Sequence, residues 1–418
     1  MSASSSAMVL SRTGEVVDLY YYDHETSKKQ AFPTTINTKY VQQFNNLTGG
    51  TSVFTIPPQQ GVQDVVCSFV LPALSSADAN GLALNRGWGY QLINRVSFRY
   101  GGSSQYFLSG AQILQNAVRA QPSRETASDL FLLGGAAALP TDLAAGAQYA
   151  SIVLTLPHAT PSGVGKAHPF PSDLLTQQIQ VTVELNTPIS LFSRLAGSTS
   201  TLTSLSLAAA NFQVQQVILN NAGDALARRV DMAENAYSFP AEFVQQEQVI
   251  ALANTAAAQS AVLTGFRSGE VKSIQLWLTR DSDVSPAGVK NPWNWYLPLL
   301  IEATYAGDIY ARFDAQSSTL WNLINGEKYP GWASVSLADG GASFTSNSQV
   351  STYVELPFAQ PFVNEEEHNT LVHGRPITNG IVNLLVQTPV AAADWKLHVS
   401  YIYNTTILMS QGTADYIF

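Results

Sequence analysis

One structural phrase occurs twice in this chain, about two hundred residues apart, and it limits what the chain can fold into. The first copy runs Leu92-Ile93-Asn94-Arg95-Val96-Ser97-Phe98-Arg99-Tyr100, turns at Gly101-Gly102, continues to Phe107 and leads into the apolar-periodic segment Ala111 to Val118. The second runs Leu297 to Tyr305, turns at Ala306-Gly307-Asp308, continues to Phe313 and leads into the short helical pattern Ser318 to Ile324. Each reads as strand, tight glycine turn, strand, helix. A phrase repeated at domain spacing implies two copies of one domain.

The strands around the two phrases keep step. Leu156-Pro157 ends a strand as Leu356-Pro357 does, and the strand at Ile179 matches one at Ile381. Gln178 to Leu185 alternates strictly between polar and apolar, which predicts one buried and one wet face; Val271 to Leu278 alternates likewise. Proline falls at strand ends, where a missing N–H costs little. Seven or eight strands per copy with one helix behind the hairpin exclude a parallel α/β fold, which needs a helix between nearly every strand pair. The expected fold class is all-β: two tandem eight-stranded jelly-roll sandwiches with short flanking helices. The expected divisions are a polar N-terminal arm over 1–30, a first roll over 31–225, a second over 226–410 and a tail over 411–418, with Asn220 to Tyr237 read as the linker region.

Of the 418 residues, 45% are apolar, normal for a chain with real cores, but only 12% are charged, about half the usual share. Two accounts fit such a composition: a neutral polar surface on a monomer, or shared subunit faces, which are poor in charge and are the favoured reading. The net charge of −9 and the lack of any Lys/Arg run longer than two argue against direct nucleic-acid binding. The single cysteine, Cys67, excludes an intrachain disulfide and a cysteine zinc framework, and reads as a small core residue. Met1 to Met8 is Ser-rich without a basic region, so no secretory signal is expected. No transmembrane helix is expected either, and the sequons at Asn46 and Asn404 are read as coincidental.

Chemistry-bearing patterns are sparse. His158, His168, His368 and His373 lie in matching long loops and read as solvated. Glu365-Glu366-Glu367-His368 is a candidate cation site, although hard cations need more oxygen ligands than these carboxylates supply. Thr160 to Ala167 departs from a phosphate loop at both ends, with Thr160 for Gly and Ala167 for Ser or Thr. Glu184, Glu242, Asp281 and Glu302 are available as acids, yet nothing in the sequence pairs them for hydrolysis. Trp293-Asn294-Trp295-Tyr296 reads as packing before a hairpin strand; the alternative is a sugar-stacking platform on Trp293 and Trp295, in a carbohydrate-binding or glycoside-cleaving tandem sandwich. A secreted adhesin or fibre module lacks a visible export signal. No catalytic residue and no cofactor is assigned.

The stretch Ile93-Asn94-Arg95-Val96-Ser97-Phe98-Arg99-Tyr100 with its turn and helix, and the aromatic-rich terminal strand Trp395 to Leu408, resemble the double jelly-roll major capsid proteins of tailless icosahedral viruses, including tectiviruses, virophages and related double-stranded DNA viruses. The resemblance covers about residues 40–410 and lies in layout more than in letters. It implies a structural, non-enzymatic coat protein and a homotrimer whose six rolls make a pseudo-hexagonal capsomer tiling an icosahedral shell. It implies neighbouring capsomers and minor capsid or penton proteins as partners, with an internal lipid membrane in some members. Residence in the virion after synthesis in the host cytoplasm follows from the same resemblance.

Overall fold

The computed structural model describes residues 8–10, 16–18, 34–56, 61–85, 87–100, 106–119, 143–154, 170, 172, 175–194, 197–219, 237–245, 247–266, 269–281, 295–296, 298–305, 307–314, 334–336, 349–351, 354–357, 375–376, 382–389, 394–410 and 412–417. The expected helix Ser318–Ile324 and the segment 220–236 lie outside these residues.

Eight strands build the first roll: β1 (Thr34–Gln43), β2 (Gly50–Ile56), β3 (Gly61–Leu71), β4 (Ile93–Arg99), β5 (Tyr106–Ser109), β6 (Gln148–Leu154), β7 (Ile179–Leu185) and β8 (Ala209–Leu219). They pair as two antiparallel sheets in the orders β1-β8-β3-β6 and β2-β7-β4-β5. Eight more build the second: β9 (Tyr237–Val244), β10 (Gln259–Leu263), β11 (Glu270–Arg280), β12 (Leu300–Tyr305), β13 (Asp308–Asp314), β14 (Val354–Pro357), β15 (Val382–Gln387) and β16 (Trp395–Ser410). Their orders are β9-β16-β11-β14 and β10-β15-β12-β13. Adding eight to each label of the first roll gives the second roll's topology, so the duplication read from the hairpins holds for these sixteen strands; Gln248–Leu252 adds a further strand on β16, and Leu82–Leu84 pairs with Phe192–Arg194 outside the two sheets of the first roll. Two four-stranded sheets in the order 1-8-3-6 and 2-7-4-5 are the interleaved Greek keys of a jelly roll.

Alternation drives the sandwich. In β7, Ile179, Val181, Val183 and Leu185 are buried while Gln180, Thr182 and Glu184 are only partly covered. Between the sheets Phe54 stacks on Phe212 with ring centroids 4.2 Å apart, and Phe44 meets Phe54 edge-on at 4.8 Å. Cys67 lies in the same core, where burial raises its thiol pKa. The second core follows the same rule with Ile274, Leu276 and Leu278 of β11 facing Leu263, Val382 and Val386.

Three short helices flank the first roll. α1 (Ser76–Ala79) is capped by Ser75, whose Oγ accepts from the Asp78 N–H. α2 (Trp88–Leu92) follows Gly87, whose φ of 65° favours glycine. The strand read from Leu92 therefore begins only at Ile93; all five α2 residues are buried, so no polar face marked them as a helix. α3 (Gly110–Arg119) starts at a glycine whose missing Cβ would lie 2.2 Å from the Tyr90 carbonyl oxygen, so only glycine lets α3 sit against α2.

The ends of the chain also join the second roll. Met8–Leu10 pairs with Val16–Asp18 and with the start of β9, with Met8 opposite Ser238 and Val9 opposite Tyr237. Within the segment expected as a tail, β17 (Thr413–Ile417) pairs back on β16.

Candidate functional site

In a chain of this kind the working surfaces are sheet faces and edges, and the junction of the rolls shows one of them in use. The edge of the first roll formed by β5 and α3 abuts the second roll. Tyr106 packs on Phe243 at 5.0 Å and near Tyr416 of β17 at 5.9 Å, and its hydroxyl accepts from the Val244 N–H at 3.1 Å. Gln112 of α3 donates to the Gln245 carbonyl at 2.9 Å and to Ser400 Oγ of β16 at 2.8 Å. β17 acts as a clasp, because the Gly412 carbonyl accepts from the Thr176 N–H of the first roll at 2.8 Å. Burial raises the Tyr416 hydroxyl pKa well above its ordinary value, with Tyr100 and Tyr106 adding to the shift.

This junction covers the outer face of the sheet β9-β16-β11-β14. Residues Leu397 through Thr405 of β16 are buried without interruption. Several outward side chains are polar and bonded within the protein: Ser273 Oγ donates to Glu355 at 2.6 Å, and Gln275 lies 3.4 Å from the same carboxylate. His398 is stacked on Trp277 at 5.2 Å, with Nδ1 on Glu247 and Nε2 2.8 Å from Thr279 Oγ1. Hydroxyl, imidazole and carboxylate thus line up in series, but Thr279 is 4% exposed, so this is a buried network that fixes ring orientation. Ser109 Oγ reaches Glu247 at 3.5 Å, which ties the network to the first roll.

On the matching sheet of the first roll, β1-β8-β3-β6, the described outward positions are half-buried to exposed. Its outward positions align in cross-strand rows, Val41–Gln213–Val66–Val153 and Gln43–Asn211–Ser68–Ser151, followed by Ala209–Val70–Tyr149. No position in these rows is charged. Val41 is 59% exposed, Tyr149 64% and Val153 44%.

The four acids singled out in the sequence lie apart, each beside its own cation. Glu184 faces Arg95 at 3.5 Å and accepts from Asn94 at 2.9 Å. Glu302 faces Arg312 at 3.6 Å, Asp281 faces Lys396 at 2.8 Å, and the fully buried Glu242 holds the Lys272 ammonium. Trp295 is 1% exposed and packs on Trp277 at 5.5 Å, so its ring has no open face for a sugar. Trp293, Glu365, Glu366, Glu367, His368, the other three loop histidines and the stretch 160–167 lie outside the described residues. Among the described residues, no three His, Cys, Asp or Glu side chains gather as a metal site, and no helix is long and apolar enough to cross a membrane.

No family model matches this chain, and no curated protein matches it in sequence. Solved structures do match. VP54 of the virus PBCV-1, fitted into a reconstruction of the virophage Sputnik, superposes over 93% of this chain and 98% of its own with a TM-score of 0.66 at 10% identity. The major capsid protein of mavirus superposes over 92% of this chain and 90% of its own, with a TM-score of 0.52 at 14% identity. That of Faustovirus covers 93% and 92%, with 0.52 at 11%. The fold is the double jelly roll of viral major capsid proteins. Both rolls of the double jelly roll lie within the matched span, and the identities show that the architecture persists where the letters have diverged.

Sequence reasoning missed the clasp and the covered face of this double jelly roll. The clasp has a faint signal, the alternation of Ala414 and Tyr416 inward with Thr413 and Asp415 outward. The covered face has one in Tyr401-Ile402-Tyr403, where alternation between polar and apolar stops.

Proposed function

We propose that this protein is a major capsid protein, a structural subunit that assembles as a trimer into a pseudo-hexagonal capsomer and tiles an icosahedral shell. The observation that carries the reading is the duplicated strand order, two rolls of one topology side by side in one chain. A heterologous contact such as that between the β5–α3 edge and the neighbouring sheet closes into a ring when repeated by rotation. Two similar rolls per chain then give near-sixfold shape from threefold symmetry. A low charge content of 12% suits extensive shared faces.

In this reading the rolls span 31–225 and 226–410, with the arm 1–30 and the tail 411–418 at one end of the capsomer. The partners are other copies of the chain, neighbouring capsomers, minor or penton proteins and, in a shell with an inner membrane, its lipid surface. The protein acts in the virion after synthesis in the host cytoplasm, and turns over no substrate. Size-exclusion chromatography with light scattering and negative-stain imaging of the full-length protein test the reading. Three-chain particles with hexagonal outline are expected; a strict monomer at every concentration overturns it.

A further inference from the structure

A lysine, a carboxylate and a carboxamide meet on one face of the sheet β9-β16-β11-β14. Glu242 of β9 lies directly opposite Asn404 of β16, and directly opposite residues of an antiparallel pair project to the same face. On the other side of β16 the ladder slips between Val271 and Ser273, and Lys272 is the extra residue of that bulge. Its Nζ bonds Glu242 Oε1. β11 and β9 are separated by β16 and so stand two strand spacings, about 9–10 Å, apart. To reach Glu242 the Lys272 side chain has to cross β16, between Ile402, which is opposite Ser273, and Asn404, which is opposite Glu242. Water has little access to this crossing, since Glu242 is 0% exposed and Asn404 8%. A buried ion pair adds little stability over apolar residues of the same volume. Stability alone therefore does not account for a lysine, a base and a carboxamide gathered in one place.

We infer that Lys272 and Asn404 become joined by an intramolecular isopeptide bond, with Glu242 as the proton carrier. Glu242 takes a proton from the Lys272 ammonium, which frees the Nζ lone pair. Nζ attacks Asn404 Cγ, and the new Nζ–Cγ bond makes a tetrahedral centre. Glu242 relays a proton from Nζ to Asn404 Nδ2, the Cγ–Nδ2 bond breaks and the carbonyl re-forms. Nδ2 leaves as ammonia and carries off, as ammonium, the proton first taken from Lys272, so Glu242 returns to a carboxylate. One amide replaces another, nothing is oxidised or reduced, and no co-reactant is needed. The fold holds the three groups together and keeps out the water that would compete for Cγ. The ion pair of Lys272 with Glu242 is the arrangement before the bond forms. Once formed, the bond staples β11 to β16 within the covered sheet. This chemistry is independent of the coat-protein reading.

Peptide mass mapping of the full-length protein, incubated overnight in the folded state and then denatured and digested with trypsin, tests the bond. Trypsin does not cut after an acylated lysine. The linked product is residues 268–280, uncut at Lys272, joined to the C-terminal peptide 397–418, and it is lighter than the two separate peptides by one ammonia. This product is expected from the wild type. Asn404→Ala removes the acceptor carbon and is expected to give cleavage after Lys272 and no linked product. Glu242→Gln keeps the shape of the side chain without the base and is expected to form the bond at least about 100-fold more slowly. Circular dichroism checks that both variants fold, and the wild-type map decides whether the bond exists even where a variant does not. Wild-type protein that yields only separate peptides overturns the bond. A product lighter by one water joins Lys272 to a carboxylate and overturns the assignment to Asn404. Linkage in folded Glu242→Gln at the wild-type rate overturns the role of Glu242. None of these results touches the coat-protein reading, which light scattering and imaging decide.

Discussion

β8 and β16 are the same strand of the same sheet in two copies of one domain, and they are buried differently. Along β8, Ala210, Phe212 and Val214 are buried while Ala209, Asn211 and Gln213 remain partly open. Along β16, every residue from Leu397 to Thr405 is buried. Topology is identical, so the difference comes from what lies against the outer face. A jelly roll needs only one apolar face to fold; the state of the other face reports its neighbours. Where the neighbour belongs to the same chain, the outer face has polar side chains with fixed partners, such as Ser273 and Gln275 on Glu355. On the first roll, three successive rows of the outer face mix valine, alanine and tyrosine with uncharged polar residues such as Gln213, Asn211 and Ser68.

Substitutions that separate these two faces give graded outcomes in chemical denaturation of the full-length protein. The largest loss is expected from Lys272→Met in the covered sheet. It removes the ammonium from the buried Glu242 carboxylate and costs about 3–5 kcal/mol; a loss below about 1 kcal/mol would mean that other groups or water compensate Glu242. Next is Gly412→Ala at the clasp. A Cβ there would sit 2.4 Å from Thr176 Cγ2 at a φ of 76°, for a loss of about 2–3 kcal/mol. Gln112→Ala removes both bonds from α3 to the second roll and is expected to cost about 2 kcal/mol. Tyr106→Phe keeps the ring on Phe243 but loses the bond from Val244, about 1 kcal/mol. On the first roll's outer face, Ser68→Ala is expected to stay within about 0.5 kcal/mol. Equal losses from Gln112→Ala and Ser68→Ala would erase the distinction between a covered and an uncovered sheet.

The part of this organisation that was legible in the sequence is the part written in local periodicity. The hairpin at Gly307, the alternation of β7 and the proline that ends β14 each report short-range geometry, and together they revealed the duplication. α2 was not legible, because five buried residues in a row carry no period that separates helix from strand. The covered face was only half legible. Ser400, bonded to Gln112 of the first roll, looks in sequence like a residue turned to water, because a polar side chain satisfied by another roll and one satisfied by solvent are the same letter. Trp295 was read as packing, and its place on Trp277 agrees with that. The acids Glu184, Glu242, Asp281 and Glu302 could be named but not paired, since each cation comes to its acid through tertiary strand register or cross-strand neighbours.

Met8 lies opposite Ser238, which sets an order on how the chain can be completed as it is made. The partner of this first short strand is more than two hundred residues downstream, after all eight strands of the first roll. Domains fold from the N-terminus as synthesis proceeds, so the first roll can close while the leading residues are still waiting for their edge. The strand Met8–Leu10 is therefore among the last parts to settle, and it can do so only once the second roll has begun to emerge.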